Sequence, residues 1–187
     1  VIENGSVKPG DRVLVLGPGP IGILCGVMAK VGGAAEVAIS GLPSDKARLS
    51  IAKDLGLIPL TEGIIEWAKK EDGTGVNLAV DAAGVSVTLR TAIDAVRPGG
   101  RIAKVGWGPQ PIDFSLDPLV QKNISLFGSF SHNRPMWEAV LRLLTSKRLD
   151  PAPILAETWD LSDWRDAFEA MYDGEIVKAQ LNPQELN

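Results

Sequence analysis

Six consecutive residues, Gly17-Pro18-Gly19-Pro20-Ile21-Gly22, place three glycines at the spacing Gly-x-Gly-x-x-Gly. An apolar run, Val13–Leu16, precedes them, and a small-residue stretch from Ile23 to Val31 follows. Between a strand and a helix, this spacing suits a phosphate-bearing dinucleotide. Gly17 permits a sharp turn, Gly19 removes the side chain that would block a pyrophosphate, and Gly22 lets the new helix lie close to the sheet. Pro20 and Ile21 open that helix, whose N-terminus offers unpaired N–H groups and a positive dipole end to the phosphates. The plain alternative is a glycine-rich turn that binds nothing, and the flanking strand and helix argue against it.

The second diagnostic corner follows the next strand. Dinucleotide folds that take NAD place an acid there, about 20 residues beyond the glycines, to accept from the ribose 2′-hydroxyl. This chain has Ser40-Gly41 instead, and the nearest acid is Asp45, inside the following helix. Without a carboxylate at that position a 2′-phosphate is not repelled. Ser40, Ser44, Lys46 and Arg48 supply hydroxyls and cations nearby, which favours NADP or tolerance of both cofactors. On the plainer reading Lys46 and Arg48 are solvated helix residues.

Further along, Asp81-Ala82-Ala83-Gly84 and Val105-Gly106-Trp107-Gly108 end two more apolar runs. Small residues such as Ala83 and Gly84 let a cofactor approach the backbone, and Val105 and Gly106 are placed to hold a carboxamide. Asp81 is a catalytic carboxylate or, more simply, an acid that braces a loop. Trp107 either walls a pocket or covers the sheet edge. His132 titrates near neutrality and so invites a catalytic reading. No nucleophile elbow or triad acid accompanies it, so a hydrogen-bonded loop histidine is expected. Cys25, among apolar residues, is expected to be buried and inert. No catalytic residue is assigned.

Strand and helix signals alternate. Strands are expected at 12–16, 36–40, 57–60, 76–81, 101–105 and 124–130. Helices are expected at 20–31, 44–55 (capped by Ser44), 64–70 and 85–96, the last stopped by the turn Arg97-Pro98-Gly99-Gly100. Near-continuous apolar strands separated by helices argue a parallel sheet covered on both faces. Right-handed crossovers then give a doubly wound, Rossmann-type six-stranded α/β sheet in the order 3-2-1-4-5-6, with ligand at the carboxyl ends of strands one and four. Beyond it come an amphipathic helix at 135–146, a proline-containing connector at 149–158, a helix at 161–173 capped by Ser162, and a short strand at 178–181. Residues 1–148 are read as the NAD(P)-binding domain and 149–187 as a segment too poor in apolar periodicity for its own core.

Composition limits the rest. The 187 residues are 45% hydrophobic and 22% charged, ordinary globular values that supply a sizeable core. The net charge of −4 gives no electrostatic footprint for nucleic acid or an anionic membrane. No apolar run approaches a bilayer span. One cysteine excludes an internal disulfide framework and fits a reducing, cytoplasmic location. One Cys and one His, far apart, cannot make a zinc site of the usual Cys/His kind, and no metal ligand is assigned.

Taken in order, these segments resemble the medium-chain dehydrogenase/reductase family, in its zinc-dependent alcohol and polyol branch. Ser6–Val15 is similar to the family's approach to the first strand. The glycine turn, Ala47–Gly56, Asp81–Gly84, Arg97–Gly100 and Val105-Gly106 follow in family order, and Leu126–Phe130 resembles its sixth-strand motif. Pro20 points to the sorbitol- and threonine-dehydrogenase-like group. The resemblance implies an oxidoreductase that binds NAD(P) through these residues, Phe130 among them, and presents nicotinamide for hydride transfer with a small alcohol or polyol. It implies that zinc is held by a preceding GroES-like catalytic domain, absent from this chain, which is therefore expected to be inactive alone. The tail would pack on that domain, and the sixth strands would pair across a two-fold axis in a homodimer. Most NAD-using relatives carry Asp where this chain has Gly41. Two other readings are a stand-alone dinucleotide-binding or sensor module, with the same binding residues, and a methyltransferase, against which Gly41 counts.

Overall fold

The structure, a computed structural model, describes residues 2–183, so Val1 and residues 184–187 of the two expected segments lie outside it. A short helix, α1 (Ile2–Gly5), leads into β1 (Arg12–Leu16), α2 (Pro20–Val31), β2 (Glu36–Ser40), α3 (Lys46–Asp54), β3 (Ile58–Leu60) and α4 (Ile64–Lys69). The second half-sheet is β4 (Val76–Asp81), α5 (Ser86–Ala95), β5 (Val96–Lys104), α6 (Asp117–Gln121) and β6 (Ser125–Gly128). Then come α7 (Arg134–Thr145), β7 (Leu155–Asp160), α8 (Trp164–Tyr172) and β8 (Lys178–Asn182).

The sheet order is β3-β2-β1-β4-β5-β6, and every pairing in it is parallel, as the alternating pattern predicts. The reason lies in β1. Val13 and Val15 face one apolar cluster with Ile23, Val37 and Ile39. Leu14 and Leu16 face another with Ala79, Leu89 and Ile93. A strand buried on both faces has no polar alternation, and only helices on both sides can cover it. The order reverses between β1 and β4, so their crossovers leave on opposite sides and a crevice opens at the strand ends.

Several local expectations are corrected. Arg97–Gly100 does turn, but inside β5: Val76 pairs with Val96, Leu78 with Arg101, and the residues between bulge out. Gly99 takes φ +69° there, and its N–H donates to the Lys122 carbonyl at 2.8 Å. Pairing with β4 resumes on either side because that strand stays buried. Ser44 does not cap α3. Asp45 holds the N-cap position and accepts from the Leu42 N–H at 2.8 Å, closing a turn before the helix. Ser162 donates to Asp163 instead of capping, and a 3-10 turn precedes α8. The connector contains β7, which pairs in parallel with β8. Ile154 and Val177 from this tail join the core cluster around Val13.

Arg12 ties three elements together. Its buried guanidinium bonds Glu36 (3.1 Å) and the carbonyls of Ala68 (2.9 Å) and Trp67 (2.7 Å), and lies 4.5 Å from the centre of the Trp67 ring. Removing it takes a charged donor from each of those carbonyls. Arg12→Ala is expected to cost about 2 kcal/mol in urea unfolding. A loss under about 0.5 kcal/mol, the scale of an ordinary surface change, would contradict this role.

Candidate functional site

The glycine turn sits where the strand order reverses. Gly17 has φ +108°, and a Cβ there would lie 3.0 Å from the Ala83 nitrogen. A Cβ on Gly22 would collide with the Gly17 carbonyl oxygen, so the first turn of α2 closes directly onto the chain that precedes it. Around the Cβ position of Gly19 there is open space. No side chain caps α2, and Pro20 at its start has no N–H to satisfy. An open position beside an uncapped helix start is where an anion is best received.

The ends of β4 and β5 close the other side. Asp81 is fully buried and acts as a brace: it accepts from the Gly84 N–H (3.0 Å), the Thr88 hydroxyl (2.8 Å) and the Lys104 ammonium (3.0 Å). Lys104 also donates to the Gly106 carbonyl at 2.8 Å. This ion pair fixes the two loops relative to one another. Gly84 and Gly106 pack backbone to backbone, since a Cβ on Gly106 would meet the Gly84 nitrogen at 2.5 Å.

Between these ends and α7 lies a mostly apolar cavity of about 840 Å³. Ile21, Ala83, Val105, Gly106 and Phe130 all line it, so the structure gathers five of the sequence-identified residues around one space. Trp107 walls it, 5.8 Å from Phe130 between ring centres. His132 also faces it, but its partner is the Trp137 ring, edge-on at 4.8 Å, and not the expected hydrogen bond. Cys25 is half-buried on the same wall, where burial pushes its thiol up to about 11. The contribution of α7 was not foreseen: Met136, Ala139, Val140 and Leu143 line the cavity. Their helical spacing is the signal that carries it, but an amphipathic stripe does not say what it faces. Asn4 of α1 borders the cavity too and donates to Ser129 Oγ at 2.8 Å.

Ser40 and Gly41 lie apart from that cavity, Gly41 beside the ring of Pro18, and Lys46 and Arg48 follow on α3. Ser40 is buried and its carbonyl accepts from the Gly17 N–H. A Cβ on Gly41 would lie 2.6 Å from Pro18 Cγ and 3.0 Å from Asp45 Oδ2. Lys46 is exposed. Arg48 turns to the tail: its Nη2 donates to the Met171 carbonyl at 2.6 Å and its Nη1 lies 3.7 Å from Asp45 Oδ1. No cluster of three or more His, Cys, Asp or Glu side chains suited to a metal occurs among the described residues.

Comparison with known proteins agrees with this geometry. The family described as zinc-binding dehydrogenase matches residues 20–146. A sorbitol dehydrogenase of Halalkalibacterium halodurans is 36% identical over 188 residues, covering 97% of this chain and 54% of that protein. An uncharacterized zinc-type alcohol dehydrogenase-like protein of Escherichia coli K12 is 31% identical, covering 95% and 51%. Among solved structures, the alcohol dehydrogenase TADH from Thermus sp. ATN1 superposes with a TM-score of 0.88 at 31% identity, covering 96% of this chain and 54% of that one. The chain thus spans about half the length of the relatives it matches.

Cys25 offers a direct check on the cavity wall. With the thiol raised by burial, iodoacetamide alkylation should be slow at neutral pH and keep rising up to about pH 11. A rate that levels off by about pH 9.5, as for an ordinary exposed thiol, would contradict the burial of that wall.

Proposed function

The chain belongs to the zinc-binding dehydrogenase family, and from that premise we propose that it is the cofactor-holding portion of an alcohol or polyol dehydrogenase. Family membership and the fold are established by the match over residues 20–146 and by the sheet order. The observation that carries the finer reading is the glycine turn at the switch point, open at Gly19 and bordered by an apolar cavity.

The residues fit a nicotinamide dinucleotide on a structural test. The space a side chain would need at Gly17 and Gly22 is taken up by protein, whereas no protein atom lies within 4 Å of the Cβ position at Gly19. In this reading the α2 N-terminus and the Gly17–Gly22 backbone hold the pyrophosphate, and Ser40, Gly41 and the start of α3 receive the adenosine ribose. Ala83, Val105 and Gly106 border the nicotinamide end, with Ile21 and Phe130 excluding water beside the ring. The Asp81–Lys104 pair keeps the Gly106 loop in register with Ala83. The cofactor supplies the hydride chemistry; the protein supplies binding and orientation. Zinc and most substrate contacts belong, on this reading, to a portion of the protein outside this chain, and residues 149–183 border that portion. The chain alone is then catalytically silent. The lone cysteine favours a cytoplasmic site, and no helix among the described residues is long and apolar enough to cross a membrane. The second reading, a dinucleotide-binding or sensor module, uses the same residues and differs only in the lack of turnover by the whole protein.

The edge strand β6 carries half-exposed Leu126 and Phe127. An unpaired edge of this kind favours association through a two-fold axis, and a homodimer through residues 124–130 is proposed.

NADH fluorescence titration should show saturable binding, with no binding of S-adenosylmethionine. Gly22→Ala should weaken NADH at least about tenfold, because the added methyl forces the turn open. Binding of S-adenosylmethionine alone, or a Gly22→Ala variant that binds NADH normally, would refute the reading. Light scattering should give a dimer that Leu126→Lys dissociates; a monomer at high concentration would defeat the dimer.

A further inference from the structure

The corner that receives the adenosine ribose contains a carboxylate that its position in the chain conceals. Gly41 stands where a side chain would need to pass Pro18, since a Cβ there lies only 2.6 Å from Pro18 Cγ. A side chain in that place requires the Pro18 ring or the Asp45 carboxylate to give way. The same Cβ position lies 3.0 Å from Asp45 Oδ2. The carboxylate of Asp45, four residues on, therefore borders the volume that a side chain at Gly41 would have filled.

Asp45 is held there. Its Oδ2 accepts from the Leu42 N–H at 2.8 Å, and the side chain is 18% exposed. A carboxylate has about four acceptor sites. Among the described residues only the Leu42 bond engages it by hydrogen bonding, since Arg48 Nη1 stands off at 3.7 Å from Oδ1. Arg48, the strongest candidate to pair with a 2′-phosphate, is directed elsewhere. Its Nη2 donates to Met171 O at 2.6 Å, and its guanidinium lies within reach of Gly174. Exposed Lys46 is the cation left at the start of α3.

We propose that Asp45, placed beside Gly41 by the turn before α3, accepts from the adenosine ribose 2′-hydroxyl and makes the site prefer NAD over NADP. This rests on the dinucleotide reading above and reverses the preference suggested by the missing acid at Gly41. A 2′-phosphate brought to this corner would meet the Asp45 carboxylate, whose charge Arg48 offsets only at 3.7 Å and without a hydrogen bond, and juxtaposed like charges disfavour binding. A 2′-hydroxyl meets an acceptor with unused capacity.

The test is the ratio of dissociation constants for NADH and NADPH, measured by fluorescence titration on the protein and on Asp45→Asn. The asparagine keeps an oxygen for the Leu42 N–H and removes the charge. Native protein should bind NADH at least about tenfold more tightly than NADPH, and Asp45→Asn should bring the ratio to within about threefold. Equal or tighter binding of NADPH by native protein overturns the proposal, whether or not the variant folds. So does an Asp45→Asn variant with native melting temperature and an unchanged ratio. Failure of native protein to bind either dinucleotide overturns the dinucleotide reading itself, and is thereby told apart from a wrong assignment of Asp45.

Discussion

Everything in the site depends on how closely three stretches of backbone approach one another at the strand ends. The β1–α2 turn meets the end of β4 at Gly17 and Ala83, and the end of β4 meets that of β5 at Gly84 and Gly106. Within the turn, Gly22 lies against Gly17. A Cβ on Gly22, Gly84 or Gly106 would overlap backbone, and one on Gly17 would crowd Ala83. This closeness puts the start of α2 beside the Ala83 and Gly106 loops, so a phosphate at one and a planar ring at the other can belong to one extended ligand. The rigidity behind it comes from β1, β4 and their neighbours, packed on both faces by two apolar clusters. The ion pair between buried Asp81 and half-buried Lys104 adds a specific tether between the two strand ends.

Several large apolar side chains of the helices that follow the sheet stay exposed. On α7, Trp137 and Leu141 remain exposed although the helix is amphipathic, and on α8 so do Trp164, Phe168 and Tyr172. Yet the tail is not idle. Ile154 and Val177 are buried in the main core, and Met171 holds Arg48 by its carbonyl. The tail thereby reaches α3, the helix that follows Gly41.

Much of this could be read from residue order because the signals are local. The Gly17–Gly22 spacing, the doubly apolar strands and Pro20 at a helix start each report on their own few residues, and the sheet order follows from handedness rules. What could not be read depended on approach in space. Arg97–Gly100 carries turn chemistry, but only pairing with buried β4 makes that turn a bulge inside a strand. His132 looks like a hydrogen-bonding loop residue until α7 brings Trp137 against it. The stripe from Met136 to Leu143 is visible as an amphipathic face, and only the fold shows that it roofs the cavity. Asp45 reads as a first-turn helix acid until the turn closed by Leu42 sets it beside Gly41.

In the proposed binding mode one extended dinucleotide lies across this switch point, with its phosphates at the start of α2 and its nicotinamide at the ends of β4 and β5. Amide chemical-shift mapping on titration with NADH tests it most directly. The largest shifts should fall together on Gly19, Ile21 and Gly22, on Ala83 and Gly84, and on Val105 and Gly106. Shifts confined to the α7 face or the tail, with the Gly17–Gly22 amides unmoved at saturation, would contradict it.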